Sequence, residues 1–284
     1  MRVGVHTSIA GALTNAAHRA HEIGCDAFQI FSANPRGWHE LRPSTAACAK
    51  FCEARAGYKL LPLAIHANYL INLAAADPVV RLPSVAAFRR ELQRAMSLRA
   101  EYVVLHPGSA KNGSPSWAVK RFVQSLLTAA KGLQPDGLTV LIENTAGQGS
   151  ALGFRLEELA EILAGVQAEV PAGVCIDTAH LFAAGYAIHT PRGLSETVRQ
   201  LDSTLGLANV RLIHANDSKS AFASRVDRHQ HIGDGQIGAE AFRRIVRHPK
   251  LRAIPFICET PKDKPDDDRR NVEMMRLLAR SSRQ

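Results

Sequence analysis

The sequence predicts an α/β fold in the form of a single closed (β/α)8 TIM barrel spanning residues 1–284, on three observations. Eight short β-rich apolar runs recur along the chain, segments with helical spacing separate them, and no linker or low-complexity stretch breaks the alternation. Runs that are apolar almost throughout suit parallel strands covered by helices rather than a half-exposed antiparallel sheet. Eight strand–helix units in one domain-sized chain point to a closed barrel instead of an open sheet.

In order, the runs are "RVGVHTS", "CDAFQIFS", "LLPLAIHA", "YVVLHPGS", "LTVLIENT", "AGVCIDTAH", "VRLIHANDS" and "IPFICETP". Between the third and fourth, residues 84–100 place Val85, Phe88, Leu92 and Met96 every three or four positions with Arg and Glu between them, the spacing of one buried helix face. The charged "KDKPDDDRR" (262–270) reads as a surface loop ahead of the last helix.

Hydrophobic residues make up 46% of the chain, enough for a sizeable core. No apolar run approaches the ~18 residues of a membrane span. The N-terminal "MRVGVHTSIAG" shows no secretion signal, so a soluble, cytoplasmic protein is expected. The five cysteines, Cys25, Cys48, Cys52, Cys175 and Cys258, are scattered, odd in number and without a CxxC pair. They are expected to be packing residues rather than a disulfide framework or a thiolate metal site. A formal net charge of +9 suits a polyanionic partner.

Polar residues stand where the apolar runs end. His66, His106, Glu143, Asp177, His214 and Glu259 close the third to eighth runs, and in this fold those ends meet at the rim where active sites are built. His180 lies three residues after Asp177, and the loop "NDSKSAFASRVDRHQHIGDGQIG" (216–238) adds Asp227, His229 and His231 at alternating positions, which in an extended chain face the same way. Any one of these is explained by a hydrogen bond. Gathered at one mouth, the carboxylates and imidazoles require cations, because burying unpaired charge is costly. Imidazole and carboxylate without thiolate fit zinc first, with manganese or iron as alternatives at one position. The six strand-end residues with His180, Asp227 and His229 make nine ligand-type residues, which exceed one four-coordinate ion and call for two or three.

The chain resembles the endonuclease IV family of apurinic/apyrimidinic endonucleases in "IENTAGQGS" (142–150), "CIDTAH" (175–180) and "NDSKSAFASRVDRHQHIG" (216–233), and the resemblance runs over essentially its whole length. It implies a trinuclear zinc centre. His66, His106 and Glu143 would hold one ion, Glu143, Asp177, His214 and Glu259 the second, and His180, Asp227 and His229 the third. His231 matches no ligand position and is expected to be a loop residue. The implied reaction is hydrolysis of the phosphodiester 5′ to an abasic site in duplex DNA, giving a 3′-hydroxyl and a 5′-deoxyribose phosphate, with 3′-phosphodiesterase activity on blocked ends. Glu143 would bridge ions and Glu259 would orient the nucleophile.

The resemblance also implies side chains that enter the duplex at the lesion. Asn34, Arg36 and Trp38 in "SANPRGWHE" and Tyr69 and Leu70 in "HANYLINLA" match, and Lys219 inside the loop motif is a candidate backbone contact. Ala67 and Ala74, which flank the Tyr69 loop, and Ala215 beside His214 are small residues that depart from the family pattern, and none of them is a ligand. A monomer is expected. Two other readings remain: a xylose isomerase-like sugar isomerase or epimerase on the same fold, which needs fewer ligands, and a non-catalytic DNA-binding protein, which needs only the positive charge. A metal-dependent amidohydrolase fits poorly, since the first run offers His6 without an HxH pair.

Overall fold

The computed structural model describes residues 1–38, 42–111 and 113–280; His39 and Glu40, which end "SANPRGWHE", lie outside the described residues. The strands are β1 (Val3–His6), β2 (Ala27–Phe31), β3 (Leu63–His66), β4 (Tyr102–Leu105), β5 (Thr139–Glu143), β6 (Ala172–Asp177), β7 (Val210–His214), β8 (Asp217–Ser218), β9 (His229–Gln230) and β10 (Phe256–Cys258). β1 to β7 and β10 close a barrel of parallel neighbours, with β10 between β7 and β1. β8 and β9 form a separate antiparallel ribbon in the loop after β7. All eight predicted runs supply a barrel strand.

Strand alternation builds the site. Ala27, Ala64, Val104, Leu141, Cys175, Leu212 and Ile257 are fully buried and pack together as one cluster inside the barrel. Gly4 pairs with Ala27 and Ile257 in register, where a Cβ would strike the Ala27 carbonyl oxygen. Side chains two positions apart share a strand face. The next inward residues are therefore His6, Gln29, His66, His106, Glu143, Asp177, His214 and Glu259. An apolar floor thus carries a polar layer directly above it, and six members of that layer are the strand-end residues singled out in the sequence.

The larger core lies between strands and helices and is led by Phe28, Phe51, Phe88, Phe122, Phe242 and Phe256. The helices between strands include α1 (Leu13–Ile23), α2 (Thr45–Gly57), α5 (Leu156–Val166) and α8 (Ala239–Arg247). Helix starts elsewhere follow cap chemistry. Asp77, Ser114 and Thr190 each accept a backbone N–H at the head of α3 (Pro78–Ser97), α4 (Pro115–Ala130) and α7 (Pro191–Leu205), and in each case proline follows, whose missing N–H is one the helix end leaves unbonded anyway. Helix α3 therefore starts earlier than the apolar spacing indicates. Its buried face is centred on Ala87, Phe88, Leu92 and Ala95, while Val85 and Met96 lie on its half-buried shoulder. Glu91 shares that buried face because it bonds Ser32 Oγ at 2.5 Å and pairs with Arg94 at 2.8 Å.

One predicted loop is partly helix. "DDRR" of "KDKPDDDRR" forms the first turn of α9 (Asp267–Ala279), where acidic side chains favour the positive end of the helix dipole. Cys25, Cys48, Cys175 and Cys258 are buried and Cys52 half-buried, all unpaired. Burial pushes the Cys25 and Cys175 thiols up to about 12, so they are protonated packing groups. No described helix is long and apolar enough to cross a membrane.

Phe88 is fully buried between α3 and the barrel. Phe88→Ala should lower unfolding free energy by about 3–5 kcal/mol, read from urea denaturation, with metal content per folded chain unchanged.

Candidate metal centre

The carboxylate of Glu143 is the hub of the barrel mouth. Its Oε2 lies 3.1 Å from His66 Nε2 and 3.1 Å from His106 Nε2. Its Oε1 lies 2.9 Å from His214 Nδ1, and that nitrogen is 3.1 Å from Glu259 Oε2. One carboxylate therefore faces two ligand sets, one on each oxygen. Asp177 ends β6, and its Oδ1 accepts from His180 N at 2.8 Å, capping α6 (Thr178–Ala184). That cap puts His180 on the first helical turn, where its Nε2 meets Asp227 Oδ2 at 3.1 Å. His229 Nε2 meets Asp227 Oδ1 at 3.1 Å and Asp177 Oδ2 at 3.7 Å.

Three groups of ligand atoms, each within 4.8 Å of one another, result: His66, His106 and Glu143; Glu143, Asp177, His214 and Glu259; and Asp177, His180 and His229. Asp227 stands against the same two nitrogens of the third. All nine predicted ligand residues are thus brought to one mouth, with Asp177 facing both the second and third groups.

Electrostatics couples them. Burial opposes charge on Glu143, yet the imidazoles of His214 and His106 hold its carboxyl well below the usual range. Glu259 is likewise lowered against burial, by His214 first. His180 is raised to about 10 and His229 to about 9, because Asp177 and Asp227 outweigh the desolvation of each ring. Asp227 is lowered in turn, the imidazoles of His180 and His229 beside it overcoming burial. As side chains alone, these groups neutralise one another.

Hydrogen bonds select which ring nitrogen each histidine presents. His66 Nδ1 bonds the Ala67 carbonyl at 2.8 Å, His180 Nδ1 the Asn144 carbonyl at 2.9 Å, and His229 Nδ1 the Glu259 carbonyl at 3.0 Å. A carbonyl only accepts, so each Nδ1 carries the proton and Nε2 faces the mouth. The Ala67 contribution is a main-chain one, which a small side chain leaves intact. The donor set fits divalent metal: imidazole nitrogens and carboxylates without thiolate. His229 Nε2 is also buried and, although 3.1 Å from Asp227 Oδ1, is not aligned with it for a hydrogen bond, as expected of a ligand atom aimed at an ion.

The supporting residues carried little signal in the sequence. Asn216 donates Nδ2–H to Asp177 Oδ2 at 2.6 Å and accepts Glu259 N–H at 2.7 Å, tying two groups together. Asn144 accepts Asp177 N–H at 2.6 Å. Buried Asp217 accepts from the backbone of Ser218, Gly233, Gly235, Ile237 and Gly238 at 2.8–3.2 Å, which folds the long loop back on itself. Gly235 is required there, because a Cβ would lie 2.4 Å from Asp217 Oδ1.

His231 departs from the alternation that unites Asp227 and His229. The ribbon ends at Gln230, and the His231 ring turns to α9, where its Nδ1 accepts from Asn271 Nδ2 at 3.1 Å. Asn271 also accepts Ile232 N–H at 2.9 Å. His231 Nε2 is 3.8 Å from Asp267 Oδ2, and His231, Asp263 and Asp267 bring ligand-type atoms within 4.8 Å of one another.

The predicted DNA-contact residues line a rim beside the mouth. Asn34, Arg36 and Lys219 are exposed, as are Trp38, Tyr69 (56%) and Leu70. Asn34 Oδ1 bonds Arg36 N at 3.0 Å, and Asn68 Nδ2 clasps the Asn34 and Gly37 carbonyls at 2.8 and 2.7 Å. The two rim loops are thereby joined. Tyr69 stands edge-on to Phe31, ring centres 5.1 Å apart.

A family model described as a xylose isomerase-like TIM barrel matches residues 17–280, which gives the class of the fold. A protein named "Probable endonuclease 4" from Solibacter usitatus (strain Ellin6076) is 51% identical over 283 residues, covering 99% of this chain and 98% of that one. The crystal structure of endonuclease IV from Thermus thermophilus superposes with a TM-score of 0.87 at 37% identity, covering 98% of each chain. The chain belongs to the endonuclease IV family. A D-tagatose 3-epimerase-like protein, with a TM-score of 0.70 and 22% identity over 98% of this chain and 97% of that one, shares the fold alone.

The histidine shifts set a pH dependence. Raised imidazoles stabilise the metal-stripped fold fully below their ordinary 6.5 and lose that contribution as pH rises through about 9 for His229 and about 10 for His180. Zinc needs the deprotonated rings, so its binding strengthens over the same range. The Tm gap between zinc-loaded and chelator-stripped protein should widen steadily from pH 6.5 to 9; a gap that narrows would contradict this.

Proposed function

We propose that this chain is a metal-dependent nuclease that cuts duplex DNA on the 5′ side of abasic sites, leaving a 3′-hydroxyl and a 5′-deoxyribose phosphate, with three zinc ions as its resident cofactors. The observation that carries the reading is the pair of ligand sets on the two oxygens of Glu143, with a third set on Asp177 beside them, in a member of the endonuclease IV family. His66, His106 and Glu143 would hold the first ion, Glu143, Asp177, His214 and Glu259 the second, and His180, Asp227 and His229 the third. Manganese or iron would fit one position. When bound, such ions lower the pKa of water to about 7 and offset charge on phosphate oxygens.

The chain's own residues do the rest. Glu143 spans two groups and keeps them at one separation. Glu259 orients the attacking water: Asn216 bonds its backbone N–H and its Oε2 faces His214, so its carboxylate is aimed before substrate arrives. Asn34 positions the turn that presents Arg36, and Arg36, Tyr69 and Leu70 enter the helix at the lesion. Opening a base step costs a few kcal/mol, least where a base is already missing, which makes the wedge a selectivity device. Lys219 meets the DNA backbone, in keeping with the net charge of +9. One barrel mouth suffices, so a monomer acting in the cytoplasm is proposed, with 3′-blocked ends as further substrates of the same phosphodiester chemistry.

The sugar-epimerase reading shares the fold but leaves His180, Asp227 and His229 without a task. It would be favoured by turnover of a free ketose without DNA. A purely binding role leaves all nine ligands unused.

A duplex with one tetrahydrofuran abasic analogue tests the proposal. Zinc-loaded protein should nick it 5′ to the lesion. Glu259→Gln should lose roughly 10²–10³-fold in kcat, while Tyr69→Ala should lose about tenfold, mainly through KM, on the scale of one lost stacking contact. Wild-type protein that leaves the abasic duplex intact would remove the proposal, and a Glu259→Gln variant of normal rate would remove that residue's role.

A further inference from the structure

Two members of the polar layer above the barrel floor, His6 and Gln29, belong to none of the three ligand groups. Gln29 is fully buried at the centre of β2, between the second group and His6. Its Nε2 lies 2.5 Å from Glu259 Oε1 and 3.0 Å from His6 Nδ1, and its Oε1 lies 2.9 Å from His214 Nε2.

Those contacts fix the orientation of the Gln29 amide and the hydrogen on His214 Nε2. A carboxylate only accepts, so the NH2 of the Gln29 amide must face Glu259; the reverse orientation would set two acceptors together. The amide oxygen then faces His214 Nε2, and that nitrogen must carry the hydrogen. His214 Nδ1 is the nitrogen left to face the second group, 2.9 Å from Glu143 Oε1 and 3.1 Å from Glu259 Oε2; it donates to those carboxylates in the metal-free chain and would offer its lone pair to an ion held between them. His214 thus presents the opposite nitrogen from His66, His180 and His229. In those three, a main-chain carbonyl fixes the ring, and no substitution removes it. In His214 a single side chain does so.

We infer that Gln29 is a positioning residue which selects the Nδ1-presenting form of His214 and orients Glu259, and so determines whether the second metal group holds its ion. The inference rests on the trinuclear reading above. Groups that orient metal ligands typically change metal affinity by about 10–100-fold when removed. Methionine matches glutamine in length and volume without donating or accepting in this way, so Gln29→Met keeps the packing and deletes both contacts. Gln29→Glu keeps an acceptor for His214 and turns the contact with Glu259 into repulsion between carboxylates.

Two measurements test this. The first is long-range proton–nitrogen NMR of zinc-loaded wild-type protein with ¹⁵N-labelled histidine. His214 should show a zinc-bound Nδ1 and a protonated Nε2, with His66, His180 and His229 showing the inverse pattern. The second is zinc retained per chain against a graded chelator. Wild type should hold three ions, and Gln29→Met and Gln29→Glu should each release one at about 10–100-fold lower chelator strength, with chelator-stripped Gln29→Met melting close to stripped wild type. Retention of all three ions by Gln29→Met at wild-type chelator strength, or a His214 bound through Nε2, would overturn the inference and leave the trinuclear reading intact. Wild-type protein that binds no zinc at these groups would overturn that reading and the inference with it.

Discussion

The structure depends on one electrostatic constraint at the barrel mouth. Glu143, Asp177 and His214 are shielded from water, with Glu259 close behind, and charges so placed are tolerated only in company of opposite sign. Glu143 satisfies it twice, once on each carboxylate oxygen. Every other feature of the mouth keeps that carboxylate surrounded. The apolar floor of Ala27, Ala64, Val104, Leu141, Cys175, Leu212 and Ile257 closes the barrel beneath it, the main-chain carbonyls turn the rings, and Asn216 ties Asp177 to Glu259.

Much of this was readable from residue order, because the barrel converts a period of two into depth. A polar residue that ends an apolar run must stand above the floor, which is how His66, His106, Glu143, Asp177, His214 and Glu259 were found. The same rule reaches Gln29 and His6, but neither advertises itself. Gln29 sits within its strand, not at its end, and an amide is not an obvious metal partner. His231 shows the opposite limit. Alternation holds only while the chain is extended, and the ribbon stops at Gln230, so a tertiary contact with Asn271 decides where His231 points. Asp217 was hidden for a related reason: its partners are backbone N–H groups up to 21 residues away. The start of α9 looks like loop in composition because acidic side chains, common in loops, are also favourable at a helix N-terminus.

The proposed chemistry and the proposed recognition occupy different scaffolding. The proposed ligands lie on strand ends and on a loop pinned by Asp217, whereas Arg36, Tyr69 and Leu70 lie on two loops clasped by Asn68. Under the proposed function, a pinned centre with a clasped but exposed rim would let the mouth keep its charge balance while the rim meets a distorted duplex. Tyr69 joins the two, its ring packed against Phe31 and 5.7 Å from His66.

The most direct test of the central claim is an anomalous diffraction map, recorded across the zinc absorption edge, from crystals of the active enzyme. Three peaks should appear, one among His66, His106 and Glu143, one among Glu143, Asp177, His214 and Glu259, and one among His180, Asp227 and His229. A fully active enzyme whose map shows no peak at this mouth, or a single one, would contradict the account.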